Sequence, residues 1–164
     1  MKLSDIVPEG PIQVWVPFEP IEGFEVLFEH KDATQRQKIF RKAQVLRWNP
    51  KTHQKEEDID VEKMNWLVAT EIVKDWRGLT PRKLAKIVPV DFDRLKDAGL
   101  KPDDEIPYDP EDCVFLLTKS DLFDSFVADT MTKVAEIAAE QRSREVKNSK
   151  RSPRGTSSAK ASED

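Results

Sequence analysis

The sequence is poor in the residue types from which disulfide frameworks and reaction centres are built. Its 164 residues include one cysteine, Cys113, so no internal disulfide can form, which fits a reducing compartment. The two histidines, His30 and His53, lie in polar stretches without a neighbouring cysteine, so metal-ligand spacing is absent. There is also no phosphate-cradling glycine loop, dinucleotide fingerprint or nucleophile-elbow motif. These absences predict a protein that is not an enzyme and takes no metal or cofactor.

Long apolar runs are missing too, whereas charge is plentiful. No stretch approaches the roughly 18–20 apolar residues that span a bilayer, and residues 1–10 show no signal-peptide pattern. The net charge is −4, but residues 141–164 hold seven Lys/Arg against three Asp/Glu, which leaves −8 on the preceding residues. An acidic body repels phosphate backbones. We therefore expect a cytoplasmic protein with no membrane partner and no specific nucleic-acid partner.

The first third of the chain carries strand signals. Apolar and polar residues alternate over 12–16 and 24–28, on either side of a Pro17–Gly23 turn, which predicts an antiparallel hairpin with one apolar face. A polar, helix-compatible segment follows from Asp32 to Lys42. Residues 43–48 either extend that helix or return as a third strand, and residues 52–60 form either a short outer strand or a loop.

The remainder carries helix signals. Asp60 is a good N-cap, apolar residues then follow the helical period to Trp76, and Gly78 suits a left-handed residue after a helix end. Thr80-Pro81 begins a short helix, and Asp109-Pro110 begins another. Ser120 caps the longest helix, whose apolar residues recur at intervals of three and four. Its apolar stripe comprises Phe123, Phe126, Val127, Val134, Ile137 and Ala138.

Together these signals predict an α+β fold: a small N-terminal antiparallel sheet followed by a mainly helical body. We expect a single domain over residues 1–144, with a β-rich part at 1–60 and a helical part at 61–144. Apolar residues become sparse after Ala139, and Ser, Pro and basic residues dominate the end. Residues 145–164 are therefore predicted to be a disordered basic tail.

A helix-turn-helix is the strongest alternative that the residues themselves suggest. Two predicted helices, 60–76 and 80–88, surround a short turn that contains Gly78. The second helix would offer Arg82, Lys83 and Lys86 to DNA. The acidic charge of the surrounding domain weighs against this interpretation, because phosphate attraction normally supplies much of the affinity.

Four motifs resemble those of the tail assembly chaperones of long-tailed bacteriophages. They are D-W-R-G-L at 75–79, E-I-P-Y-D-P-E-D at 105–112, L-L at 116–117 and D-L-F-D-S-F at 121–126. Trp76 and Gly78 match the "W-x-G" break of that family, and Pro107-Tyr108 matches the start of its entry to a later helix, the segment that here contains Pro110. The Asp109-Pro110 pair departs mildly from the family pattern, in which Ser or Thr is commoner.

The resemblance implies a non-enzymatic role in virion assembly. Members of that family bind the long, helical, apolar tape-measure protein, keep it soluble and promote polymerisation of the tail tube. The resemblance thus implies the tape-measure protein as partner, with the tail-tube protein as a further one, in the cytoplasm of the infected host. It also implies absence from the mature virion. Self-association stays open, as does a minor structural role in the tail.

The stripe of the longest predicted helix is the candidate partner-binding site. It carries more apolar area than so small a domain easily buries, and a helix at the end of the folded chain is readily shared with a partner helix. Phe123, Phe126 and Val127 could equally close the core. We expect Val134 and Ile137, farther out along the helix, to contact a partner.

Overall fold

A three-stranded antiparallel sheet and a separate two-stranded ribbon form the β part of the protein. The computed structural model describes residues 1–150, which contain five strands and seven α-helices. The strands are β1 (Gln13–Pro17), β2 (Glu25–Glu29), β3 (Gln44–Asn49), β4 (Gln54–Ile59) and β5 (Val73–Arg77). The helices are α1 (Ala33–Ala43), α2 (Val61–Leu67), α3 (Pro81–Leu84), α4 (Phe92–Asp97), α5 (Pro110–Lys119), α6 (Asp121–Met131) and α7 (Val134–Lys150). The predicted α+β class is confirmed.

The main sheet contains the predicted hairpin. Its strand order is β1-β2-β5, and β1 pairs antiparallel with β2 so that Val14 faces Phe28 and Val16 faces Val26. These four side chains are buried, whereas their neighbours along each strand are more exposed. The alternation read from the sequence therefore does mark the apolar face, which packs against the helices.

The segment after α2 differs from the prediction. The chain was expected to remain helical to Trp76, but the helix widens into a π-helical turn at Val68–Ile72 and then becomes strand β5. Val73 pairs with Phe28 and Trp76 with Val26, and a register irregularity between these pairs lets both side chains be buried. The two buried residues of β5, Val73 and Trp76, are three residues apart. This spacing is also that of buried residues in a helix, so the sequence pattern predicted a helix here.

The helix-turn-helix considered as an alternative over 60–88 is consequently absent from the described residues. The residues predicted to end its first helix form strand β5, and its second helix is only the four-residue α3. Two of the three basic residues proposed to contact DNA also bond within the protein. Arg82 Nε donates to Asp103 Oδ1 at 2.8 Å, and Lys83 Nζ donates to the Gly78 carbonyl oxygen at 3.2 Å.

The two segments whose secondary structure the sequence did not decide, 43–48 and 52–60, both form strands. β3 and β4 pair antiparallel along six residues each, in a ribbon that is separate from the main sheet. The preceding helix α1 begins as predicted, since the Asp32 side chain accepts a hydrogen bond from the Gln35 backbone N–H at 2.8 Å.

The longest predicted helix is divided in two. Ser120 caps α6, because its hydroxyl accepts a hydrogen bond from the Phe123 N–H at 3.2 Å. α6 ends at Met131, and α7 begins at Val134. α7 continues to Lys150, so the predicted domain boundary at residue 144 falls inside a helix. The rest of the predicted tail, residues 151–164, lies outside the described residues.

Candidate partner-binding clefts

The five residues predicted to bind a partner divide into two groups. Phe123, Val127 and Val134 are core residues, with side chains at most 2% exposed. Phe126 and Ile137 are only partly buried and pack on the edge of the core. Val134 was expected to contact a partner from farther out along the helix, but its side chain is fully buried in the core, four residues after the buried Thr130. The structure does not bring the five together on one accessible face.

Phe126 and Ile137 do meet in an open cleft of about 730 Å³. The end of β1 and the turn after it form one wall, and α6 with α7 forms the other. Leu122, which the sequence-based prediction omitted, lies at its rim with 58% of its surface exposed. The remaining apolar lining consists of Val16, Pro17, Phe18 and Pro20. This place, called the hairpin cleft below, has a partly apolar lining that is open to solvent.

Charged side chains of both signs surround the apolar lining. Asp129 and Lys133 come from the end of α6 and the following turn, and Glu140 and Arg144 come from α7. Gln141 Nε2 donates a hydrogen bond to the Trp15 carbonyl oxygen at 3.1 Å, which ties α7 to the edge strand β1. The two walls are therefore joined directly by a hydrogen bond.

A second groove, of about 650 Å³, lies among α1, α2 and the end of α6. We call it the α1 groove. Phe40, at 46% exposure, stands beside it, and Arg36, Arg41 and Glu57 supply charge. Its other apolar lining residues are Ile39, Met64, Ile72 and Met131. The sequence-based prediction missed this groove; the only signal was a pair of apolar residues, Ile39-Phe40, in an otherwise polar helix.

The motif residues Trp76 and Tyr108 form a structural contact. Their rings meet edge to face with centroids 4.9 Å apart. The Tyr108 hydroxyl donates toward the carbonyl oxygens of Ala69, within the π-helical turn, and of Val73, directly after it. Burial raises the pKa of Tyr108 above its ordinary value, so the hydroxyl keeps its proton. This pair stabilises the passage from helix to strand.

Gly78 and Pro110 also have structural positions. Gly78 has φ +77°, and a Cβ there would lie 2.0 Å from the Gly23 carbonyl oxygen. Its left-handed conformation was predicted, although it follows a strand rather than a helix. Pro110 begins α5, and Asp109 caps that helix by accepting a hydrogen bond from the Glu111 N–H at 2.8 Å.

Cys113 is buried in the core, as predicted. Burial raises the pKa of its thiol to about 12, with a hydrogen bond to Tyr108 opposing the shift. A thiol with that pKa is protonated at neutral pH and is a poor nucleophile. Residues 1–150 contain no cluster of His, Cys, Asp and Glu side chains that could hold a metal ion. None of the helices described is both long and apolar enough to cross a bilayer.

The geometry is that of a small α+β protein with two open, partly apolar clefts. Residues 28–148 match the family model of the YdaY prophage protein, which is well over half of the chain. The chain therefore belongs to the YdaY prophage protein family, and its origin is a phage. The match extends from β2 into α7 and includes both clefts' helices. No curated protein and no solved structure matches the chain.

Proposed function

We propose that this prophage protein is a tail assembly chaperone that binds the tape-measure protein, keeps it soluble and promotes tail-tube assembly. Its phage origin and the four sequence motifs support the proposal. The observation that carries it is the hairpin cleft, whose apolar lining includes two of the residues predicted to contact a partner. No chemical step is part of the role.

The hairpin cleft suits one apolar ridge of a client helix. Leu122 and Phe126 are four residues apart on α6 and lie on the same face of that helix, while Ile137 approaches from α7. A helix in such a cleft is recognised by apolar residues at intervals of three and four. Carboxylates and ammonium groups around the cleft keep the free protein soluble and can pair with flanking charges on the client.

The proposed role places the protein in the cytoplasm of the infected host cell and outside the finished virion. Client release must then precede maturation, which favours modest affinity. An open cleft flanked by solvent-exposed charges fits this requirement, because exposed ion pairs contribute little to binding energy. The tail-tube protein would be a further partner at the moment of polymerisation.

Co-expression with the tape-measure protein of the same phage tests the proposal. The measurement is the soluble fraction of the tape-measure protein, with and without the chaperone. We expect the wild type to raise this fraction, and Leu122→Asp combined with Ile137→Asp to abolish the gain, since carboxylates would line the apolar cleft. Leu122→Asp alone should reduce it, and because Leu122 is exposed this variant should remain folded. Circular dichroism and thermal unfolding verify folding.

A matched variant in the other groove locates the client. Phe40→Asp places the same charge on a partly exposed side chain of the α1 groove. If only Phe40→Asp removes the gain in solubility, the client docks in the α1 groove and the hairpin cleft is not the site. If the wild type gives no gain at all, the chaperone role itself is wrong.

A further inference from the structure

The β3–β4 ribbon leaves apolar side chains and strand edges uncovered within the described residues. Leu46 is 67% exposed and Trp48 60% exposed, and both lie on the same face of β3. A two-stranded ribbon is marginal in water by itself, and a free edge offers its backbone groups for pairing. These features indicate that the ribbon gains a partner strand.

Hydrogen bonding identifies the backbone groups at each edge. The Asp60 N–H donates to the Ala43 carbonyl oxygen at 2.8 Å, so residues 43 and 60 form a hydrogen-bonded pair across the ribbon. Such pairs alternate along antiparallel strands, so Val45 and Arg47 also bond inward. The backbone groups of Leu46 and Trp48 therefore point to the outer edge of β3. On β4, Glu57 points outward, since it lies opposite Leu46.

The two outer edges differ in charge. β4 carries Glu56, Glu57 and Asp58 in succession, so two copies of this edge would repel each other. The charge on β3 is Arg47, which already pairs with Asp58 at 3.3 Å. Of the two edges, only that of β3 combines outward backbone groups with apolar side chains and little charge. The β3 edges of two copies can therefore pair without strong repulsion between like charges.

We propose that the outer edge of β3 pairs antiparallel with β3 of a second copy, centred on Leu46, to give a symmetric dimer with a four-stranded sheet. In this register Leu46 lies opposite Leu46 of the second copy, and Trp48 of each copy lies opposite Gln44 of the other. Arg47 lies opposite Val45 instead of opposite Arg47, so like charges are not paired directly. The exposed apolar side chains of the two copies, Leu46 and Trp48 of each, then lie on the same face of the four-stranded sheet. The ribbon alone carries this inference, which does not depend on the proposed function.

The dimer is expected to be weak. Pairing along one short strand buries less surface than the roughly 1,200–2,000 Å² of a stable interface, so dissociation should occur in the micromolar range. Sedimentation velocity at increasing concentration should show monomer converting to dimer over that range. The wild-type protein over its full length is the material for this measurement.

Cysteine cross-linking tests the register. Residues in a hydrogen-bonded pair have Cα atoms about 5.5 Å apart, a separation that a disulfide can span. Leu46→Cys should give a disulfide-linked dimer under mild oxidation, because each new thiol faces its copy. Glu57→Cys is the matched control, since Glu57 lies opposite Leu46 in the ribbon but faces the other edge. It should give far less covalent dimer, and the wild type, whose Cys113 is buried, should give none.

Proline substitution tests the edge itself, since proline removes one backbone N–H. Leu46→Pro removes an outward donor on β3 and should abolish the dimer. Glu57→Pro removes the equivalent donor on β4 and should leave the dimer intact. A wild type that stays monomeric would overturn the proposal, as would equal cross-linking by Leu46→Cys and Glu57→Cys. A dimer that survives Leu46→Pro, or that disappears when residues 151–164 are deleted, would show that another surface joins the copies.

Discussion

The indole N–H of Trp76 donates a hydrogen bond to the carbonyl oxygen of Ile106 at 2.9 Å. This bond joins two motifs that lie about thirty residues apart along the chain. The backbone continues the contact, because the Ile106 N–H donates to the Leu79 carbonyl oxygen at 2.8 Å. The Gly78 N–H also donates to Glu105 Oε1 at 3.0 Å. The W-R-G and E-I-P-Y segments are thus one structural unit that holds β5 in place.

Loss of the Trp76 side chain should destabilise the protein strongly. Trp76→Ala removes a buried aromatic ring and should lower the free energy of unfolding by about 3–5 kcal/mol. Trp76→Phe keeps a ring but leaves the Ile106 carbonyl without its donor, which should cost about 1–3 kcal/mol. Urea titration measures both. Trp66→Ala is the control, since Trp66 is 46% exposed; an equal loss for Trp66→Ala and Trp76→Ala would contradict this role.

A side chain at position 78 should not be tolerated. In Gly78→Ala the new Cβ would meet the Gly23 carbonyl oxygen, and the residue would keep a left-handed conformation. We expect a loss of about 2–5 kcal/mol in the free energy of unfolding. Gly99→Ala separates the two causes, because Gly99 has φ +74° but no atom within 4 Å of an added Cβ. It should cost only about 1–2 kcal/mol; similar losses at both positions would exclude the steric clash.

Local signals predicted the ends of elements well. The caps at Asp60, Thr80, Asp109 and Ser120 are all present as side-chain hydrogen bonds to the following turn. Capping depends on residues within one turn of the chain, so it can be read from sequence. Strand β5 could not be predicted in this way, because it pairs with β2, which is distant in sequence, and the pairing is irregular. Periodicity alone assigned residues 73–76 to a helix.

The clefts were predictable only in part. Phe126 and Ile137 do line the hairpin cleft, but Val134 is buried in the core with Phe123 and Val127. Nothing in the local pattern distinguishes a continuous helix from two helices with aligned apolar residues. The α1 groove depends on how three helices pack against one another, and sequence spacing within one helix cannot reveal it.

Cys113 should be inert in the folded protein. Because burial raises the pKa of its thiol to about 12, almost no thiolate is present at pH 8, and a reagent cannot reach the sulfur. Ellman's reagent should therefore react at the rate of unfolding, and the rate should rise with urea. In Glu57→Cys, the exposed new thiol should react at once and serve as an internal reference. Immediate reaction of Cys113 in the native wild type would contradict the buried position.

Glu29 should make stability depend on acid pH. Its carboxylate accepts hydrogen bonds from Lys31 at 2.7 Å and from Gln13 at 3.2 Å, and Lys74 lies 3.8 Å away. Burial acts to raise the pKa of Glu29, but these bonds and charges outweigh it, so its pKa is lowered below the ordinary value. A carboxyl group that binds its proton less readily when folded stabilises the protein above its unfolded pKa. This contribution is lost as the pH falls through the folded pKa.

Glu29→Gln tests this linkage directly. The amide removes the charge at every pH, so we expect the variant to be less stable than the wild type at pH 7. The difference should shrink as the pH falls below about 5, because protonation of the wild-type carboxyl then removes the same charge. Urea midpoints measured between pH 7 and pH 3 supply the comparison, with Glu9→Gln, an exposed position, as the control. A constant difference between Glu29→Gln and wild type across that range would show that the carboxylate makes no charge-dependent contribution.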